Sequence, residues 1–150
     1  MIYSLTFKEI LSTMEKNSTC IRLKIAAVIV KDDRIISSGW NGAPSGMIHC
    51  NEYFEHVKDT NSEDFKKLHA EFSERNELHA EQNAIAFAAR NGINTEGSIL
   101  FTSVSPCASC AKLIIAAGIK TVYYKVEYDR SNAGLDLLND CNIETICIGE

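Results

Sequence analysis

Apolar positions along the chain change period several times, and each change marks an element. Residues 4–16 set Leu5, Ile10, Leu11 and Met14 among Lys8, Glu9, Glu15 and Lys16, the spacing of an amphipathic helix. The stretch KIAAVIVKDDRIISSGWNG holds two apolar runs around Lys31-Asp32-Asp33-Arg34 and predicts a hairpin. Gly39, Gly42, Pro44 and Gly46 then predict a loop. Residues 51–76 are polar and charged, and predict an insertion of short helical pieces with no strand. A helix is expected over 78–91, with an apolar stripe of Leu78, Ala80, Ile85, Phe87 and Ala89 and a stop at Asn91-Gly92. Beyond it come a buried strand at 98–104, a helix from just after Pro106 to Gly118, the strand TVYYKV, the helix SNAGLDLLNDC and a last strand, IETICI.

After the first hairpin, strands alternate with helices. That order predicts an α/β fold with about five strands in a mixed sheet and helices on both faces. A length of 150 residues, with no internal repeat or linker, suits one domain over 1–150.

Composition narrows the function classes. A net charge of −5 argues against a broad basic face for nucleic acid, although it leaves room for a local pocket that takes one small anion. No apolar run nears the roughly 20 residues that span a bilayer, and the start, MIYSLTFKEILSTMEKN, lacks a secretory pattern. A cytoplasmic protein with reduced thiols is therefore expected. Of the six cysteines, Cys147 is read as a core residue and Cys141 as a thiol at a helix end, both structural.

The remaining cysteines suggest chemistry. Cys107 and Cys110, in SPCASC, lie three residues apart at a helix start, where backbone N–H groups and the helix dipole favour thiolates. Alone, this pair fits half of a zinc site or a redox couple. His79 stands at the start of the preceding helix, with one strand between, and helix starts of this kind line the carboxyl edge of an α/β sheet. One imidazole and two thiolates leave a tetrahedral zinc one position for water, the pattern of a catalytic site. Glu81, two residues after His79, then suits a proton carrier beside that water and not a ligand.

H-A-E followed by P-C-x-x-C is the signature of the zinc nucleobase deaminases. The chain resembles the cytidine deaminase superfamily, and within it the phage-type deoxycytidylate (dCMP) deaminases. The resemblance runs through KIAAVIVKDDRIISSGWNGAPSGMIHC, NELHAEQNAIAFAARNG, GSILFTSVSPCASCAKLIIAAGIKTVYY and EYDRSNAGLDLL. It implies a three-layer α/β/α fold and the hydrolysis of dCMP to dUMP and ammonia. Water activated by zinc would attack C4 of the cytosine while Glu81 carries protons. Asn41 would lie near the sugar and phosphate, the backbone around Ser105-Pro106 would meet the substrate's amino group, and Tyr128 would line the pocket.

The same resemblance implies a second, structural zinc held by Cys20, Cys50, His69 and Glu77, with His49 a rival ligand and His56 exposed. It further implies a homohexamer activated by dCTP and inhibited by dTTP. Gly42, Gly46, Phe87 and Arg90 would serve regulation, and Mg2+ would accompany the regulatory nucleotide. Two residues depart from the family pattern. Ala26 replaces a usual glycine, with a methyl expected to crowd substrate or the regulatory loop, and Trp40 replaces a usual tyrosine. Rival readings are a dCTP or dual-substrate deaminase, a nucleic-acid base deaminase and a non-catalytic zinc module.

Overall fold

The computed structural model describes residues 4–149. Helix α1 spans Ser4–Met14 and runs into a short 3-10 turn, Glu15–Asn17. The hairpin pairs β1 (Ala26–Lys31) with β2 (Arg34–Trp40). Its two-residue turn places both Asp32 and Asp33 at positive φ, 50° and 62°, the backbone that lets a tight turn follow the twist of its strands. A bulge follows at once, because Ile29 pairs with Ser37 whereas Val30 pairs with Ile35. Then come α2 (Cys50–Tyr53), α3 (Glu63–Asn76), α4 (Ala80–Arg90), β3 (Ile99–Val104), α5 (Ala108–Ala116), β4 (Thr121–Val126), α6 (Ala133–Asp140) and β5 (Glu144–Cys147).

The five strands form one sheet in the order β2-β1-β3-β4-β5. The β2–β1 and β1–β3 pairs are antiparallel, and β3–β4 and β4–β5 are parallel. Alternation along the strands sends Ala27, Ile29, Leu100 and Val122 to one face, against Ala80 and Ala84 of α4, Ala111 and Ile114 of α5, and Leu138 of α6. The other face carries Ala26, Val28, Val30, Phe101 and Tyr123, and α1 closes it with Phe7 and Leu11. There Phe7, Phe101 and Tyr123 stack at centroid spacings of 4.2 and 4.7 Å. The expected layering of helices on both sides of a mixed sheet is thus present.

Several expectations change. The insertion is dominated by one 14-residue helix, α3, capped by the Ser62 hydroxyl, which accepts from the Phe65 N–H at 3.1 Å. Its small core is aromatic: Phe54, Phe65 and Phe72 gather around Cys20 and Cys50. In α4 the buried stripe is Ala80, Glu81, Ala84 and Ala88, while Ala89 is exposed and Phe87 is 52% exposed. Cys147 is exposed because β5 is the sheet's edge strand, and Cys141 is exposed just past α6. Ala26 is fully buried under α1, on the face away from α4, so its methyl crowds neither loop nor cavity. Among the described residues, no helix is long and apolar enough to cross a membrane.

Gly39 fixes where α4 sits. A Cβ at this strand position would lie 2.7 Å from both the Ala80 carbonyl and the Ala84 amide, and 2.8 Å from Asn83 Cβ. Only hydrogen fits between β2 and the helix backbone. Gly39→Ala is expected to lower stability by about 1–3 kcal/mol, the usual cost of overpacking, seen as a lower midpoint in urea unfolding.

Candidate metal and active site

Chain direction gathers the functional residues at one edge of the sheet. The parallel strands β3 and β4 end there, at Val104 and Val126, and antiparallel β1 begins there. A cavity of about 500 Å³ opens at this edge. Its lining includes Asn41, His79, Glu81, Ser105, Cys107 and Tyr128.

His79 and Cys107 hold equivalent places, each the residue before a helix. His79 precedes α4 with φ −71° and ψ 156°, and Cys107 precedes α5 with φ −71° and ψ 171°. The backbone is extended at both, as is usual for the residue that caps a helix start. A histidine and a glutamate two residues apart can therefore serve one site, since His79 lies outside the helix and Glu81 lies in its first turn. The Gln82 carbonyl fixes this corner by accepting from the His79 backbone N–H at 2.8 Å. His-x-x-Gln before an apolar run is a capping signal that was open to view in the sequence.

The three donors converge. His79 Nδ1 lies 3.3 Å from Cys110 Sγ and 3.6 Å from Cys107 Sγ, and all three ligand atoms fall within 4.8 Å of one another. Hydrogen bonds from the Cys110 thiol and the His79 ring pull the Cys107 thiol down to about 3. The same sharing with Cys107, with burial added, pushes Cys110 up. The bond to Cys107 likewise raises His79. One proton shared between two sulfurs beside an imidazole is the arrangement a divalent cation would replace.

Glu81 is buried next to this cluster, with Oε2 3.7 Å from Cys110 Sγ. Burial raises its pKa, so the carboxyl is held ready to keep a proton. The Thr102 hydroxyl is placed to donate to Glu81 Oε1 at 3.3 Å, or to the Val104 carbonyl at 3.2 Å. Thr102 gave no signal in the sequence, where it reads as an ordinary strand residue.

A second cluster joins Cys20, Cys50, His69 and Glu77, all buried and with ligand atoms within 4.8 Å of one another. His69 Nε2 is 3.5 Å from Cys20 Sγ, 3.4 Å from Cys50 Sγ and 4.0 Å from Glu77 Oε1. The Cys50 thiol's hydrogen bond lowers Cys20 to about 5, and the reciprocal effect raises Cys50. Burial, and then the Cys20 charge, raises Glu77 to about 7. Neither Glu77 carboxylate oxygen has a hydrogen-bond partner among the described residues. Two orphaned buried oxygens cost about 1–3 kcal/mol or more, and a cation bound by all four side chains would remove that cost. His49 stands outside, with Nδ1 3.4 Å from Thr19 Oγ1, and the His56 side chain is exposed.

The remaining expected residues divide. The Asn41 side chain is largely engaged in structure: Oδ1 accepts from Ser18 Oγ at 2.7 Å and from the Ile25 N–H at 2.8 Å, and Nδ2 donates to the Leu23 carbonyl at 2.7 Å. It lines the cavity while pinning the 18–25 loop to β2. The Ser105 hydroxyl accepts from the Tyr128 N–H at 2.7 Å and so holds the segment that carries Tyr128 at the cavity. Gly42, Gly46, Phe87 and Arg90 do not line it. Gly46 has φ +93° in an open loop, and Phe87 and Arg90 lie exposed on α4. Three cations that the sequence did not single out do line the cavity, Arg22, Lys66 and Arg130, brought together from separate loops and α3.

Comparison with known proteins agrees with this geometry. Residues 3–126 match the family described as "Cytidine and deoxycytidylate deaminase zinc-binding region". The deoxycytidylate deaminase of Enterobacteria phage T2 is 37% identical, over 93% of this chain and 88% of its own. ComE operon protein 2 of Bacillus subtilis is 39% identical over 74% of this chain and 52% of its own. The crystal structure of dCMP deaminase from the cyanophage S-TIM5 in complex with dCMP and dUMP superposes with a TM-score of 0.74, at 34% identity over 93% of this chain and 92% of that one. With family match, near full-length relatives and a convergent imidazole–dithiol cluster in agreement, the chain belongs to the cytidine and deoxycytidylate deaminase zinc-binding family.

Proposed function

We propose that this protein hydrolyses dCMP to dUMP and ammonia, with zinc held by His79, Cys107 and Cys110. The observation that carries the reading is a three-donor cluster with a buried carboxylate, Glu81, at its side and a cavity in front of it. Three protein donors suit a catalytic ion that keeps a coordination position free, and this speaks against a purely structural module. When bound, the zinc supplies Lewis acidity that lowers the pKa of water towards neutrality.

The chain's own residues supply the rest. Glu81, kept from solvent, receives the proton released as water adds to C4 and passes it to N3 of the ring. It then takes the proton of the new C4 hydroxyl and delivers it to the amine, so that the C4=O bond forms as the C4–N4 bond breaks and ammonia leaves. Thr102 orients the carboxylate through Oε1 and leaves Oε2 towards the cluster. Ser105 and Tyr128 shape the wall. Arg22, Lys66 and Arg130 supply positive charge for a 5′-phosphate in a chain whose net charge is −5, which favours a nucleotide over a polynucleotide. The orphaned carboxylate of Glu77 supports a second zinc on Cys20, Cys50, His69 and Glu77. Regulation by dCTP and dTTP with Mg2+ in a homohexamer is the further part of this reading, and Phe87 and Arg90, exposed and away from the cavity, are the residues that would serve it.

Glu81→Gln is expected to cut ammonia release from dCMP by about 10²–10⁴-fold while metal content by elemental analysis stays unchanged. Cys107→Ser should lose the catalytic ion. Normal turnover in Glu81→Gln would overturn the mechanism. Arg22→Ala and Arg130→Ala are expected to raise KM for dCMP about tenfold or more and to leave deoxycytidine turnover unaffected. Equal turnover of dCTP and dCMP by the unmodified protein would shift the substrate to the dual class. For regulation, the dCMP saturation curve should steepen with dTTP and flatten with dCTP and Mg2+, and Arg90→Ala should abolish both responses.

A further inference from the structure

The two clusters share a three-residue piece of backbone. Glu77 belongs to one, His79 belongs to the other, and only Leu78 separates them. Both are extended, with φ −108° and ψ 142° at Glu77 and φ −71° and ψ 156° at His79. In an extended segment, side chains at i and i+2 point to the same side, and the whole segment, Leu78 included, borders the cavity. The segment is tied at its centre. Gly42 N–H donates to the Leu78 carbonyl at 3.1 Å, and Leu78 N–H donates to the Gly42 carbonyl at 2.8 Å, forming an isolated antiparallel bridge. It has little slack at its ends. Glu77 N–H is bonded back to the Ser73 carbonyl of α3 at 3.0 Å, and His79 N–H to the Gln82 side chain of α4 at 2.8 Å.

We propose that this bridge couples the two metal sites, so that filling the Cys20–Cys50–His69–Glu77 cluster positions His79 for the catalytic one. Glu77 acts here as a positioning residue. Without a cation its buried carboxylate has the His69 ring 4.0 Å away but no hydrogen bond at either oxygen, and the side chain can relieve that by turning out towards the cavity. Because the segment has so little slack, such a turn pulls on the Leu78–Gly42 bridge and, through it, on His79. With a cation bound, Glu77 is fixed and the bridge is stretched into the one register that sets His79 Nδ1 over the two sulfurs. His69 anchors the far end, since it stands on α3 about two helical turns before Glu77, the extended residue that follows the helix. Coupling of this kind is reciprocal, so each ion must strengthen the binding of the other.

The proposal rests on both clusters being metal sites, and titration of metal-stripped protein with Co2+ separates the two questions. Thiolate-to-cobalt absorption reports each site directly, with no need for turnover. The unmodified protein is expected to fill both clusters. In His69→Ala, which leaves His79, Cys107 and Cys110 untouched, the affinity of the remaining cluster should fall about tenfold or more. Glu77→Gln should weaken it in the same direction, and it decides the matter if far-UV circular dichroism shows that His69→Ala does not fold. Cys107→Ser should weaken Co2+ at the other cluster by a comparable factor. Hydrogen exchange of the Leu78 amide should quicken in His69→Ala, while the Ala111 amide, bonded to the Cys107 carbonyl inside α5, keeps its protection. Two clusters that fill independently, with the catalytic affinity unchanged within about twofold in the folded variants, overturn the coupling and leave the metal reading intact. Failure of the unmodified protein to fill either cluster overturns the metal reading, and the coupling with it.

Discussion

Two thiols, an imidazole and a carboxylate that meet in one corner must settle among them how much negative charge it holds. The site is organised around that constraint. Placed together without a cation, the side chains divide their protons unevenly: Cys107 is driven down, Cys110 up, and Glu81 towards its neutral form. The second cluster repeats the pattern with Cys20 driven down and Cys50 and Glu77 up. At Cys107 the start of α5 supplies N–H dipoles where negative charge collects, and at Cys20 backbone hydrogen bonds at Leu23 and Arg22 do the same work.

The scaffold serves that corner through close backbone approach. Gly39 lets β2 lie against α4, and Gly134 does the same for α6, since a Cβ there would collide with the Pro106 carbonyl. Both contacts press on the segments that present Glu81 and Cys107. The aromatic stack of Phe7, Phe101 and Tyr123 stiffens the opposite face of the sheet, behind Thr102. Precision in the site therefore depends on small residues in front and large ones behind.

Much of this was legible in the chain because it depends on short spacings. Pro106-Cys107 and Cys110 mark a helix start with two thiols on it, and His79 with Glu81 marks another. The hairpin followed from Lys31-Asp32-Asp33-Arg34, and the alternating order of strands and helices led to the mixed sheet. Other readings failed where burial depends on distant partners. The stripe of α4 was read through Ile85, Phe87 and Ala89, yet Ala84 and Ala88 join Ala80 against the sheet because β2 comes so close. Cys147 sits in an apolar run, but an edge strand has no neighbour to cover it. α3 hid behind its charges: its buried positions Phe65, His69, Phe72 and Asn76 recur at helical spacing, but two of the four are polar, so the apolar signal is thin.

By itself the sequence determined the local chemistry: which side chains can hold a soft divalent ion, which helix starts carry them, and that one carboxyl stands two residues from the imidazole. Only the tertiary structure decided what surrounds them. It brought Arg22, Lys66 and Arg130 to one cavity from loops and a helix far apart in the chain, set Thr102 on Glu81, committed most of Asn41's hydrogen bonds to the 18–25 loop, and pinned Leu78 to Gly42 between the two clusters. The reason is physical. Ligand type and helix capping are decided within a few residues, whereas the walls of a cavity and the pairing of a buried polar atom depend on segments that meet only when the chain is folded.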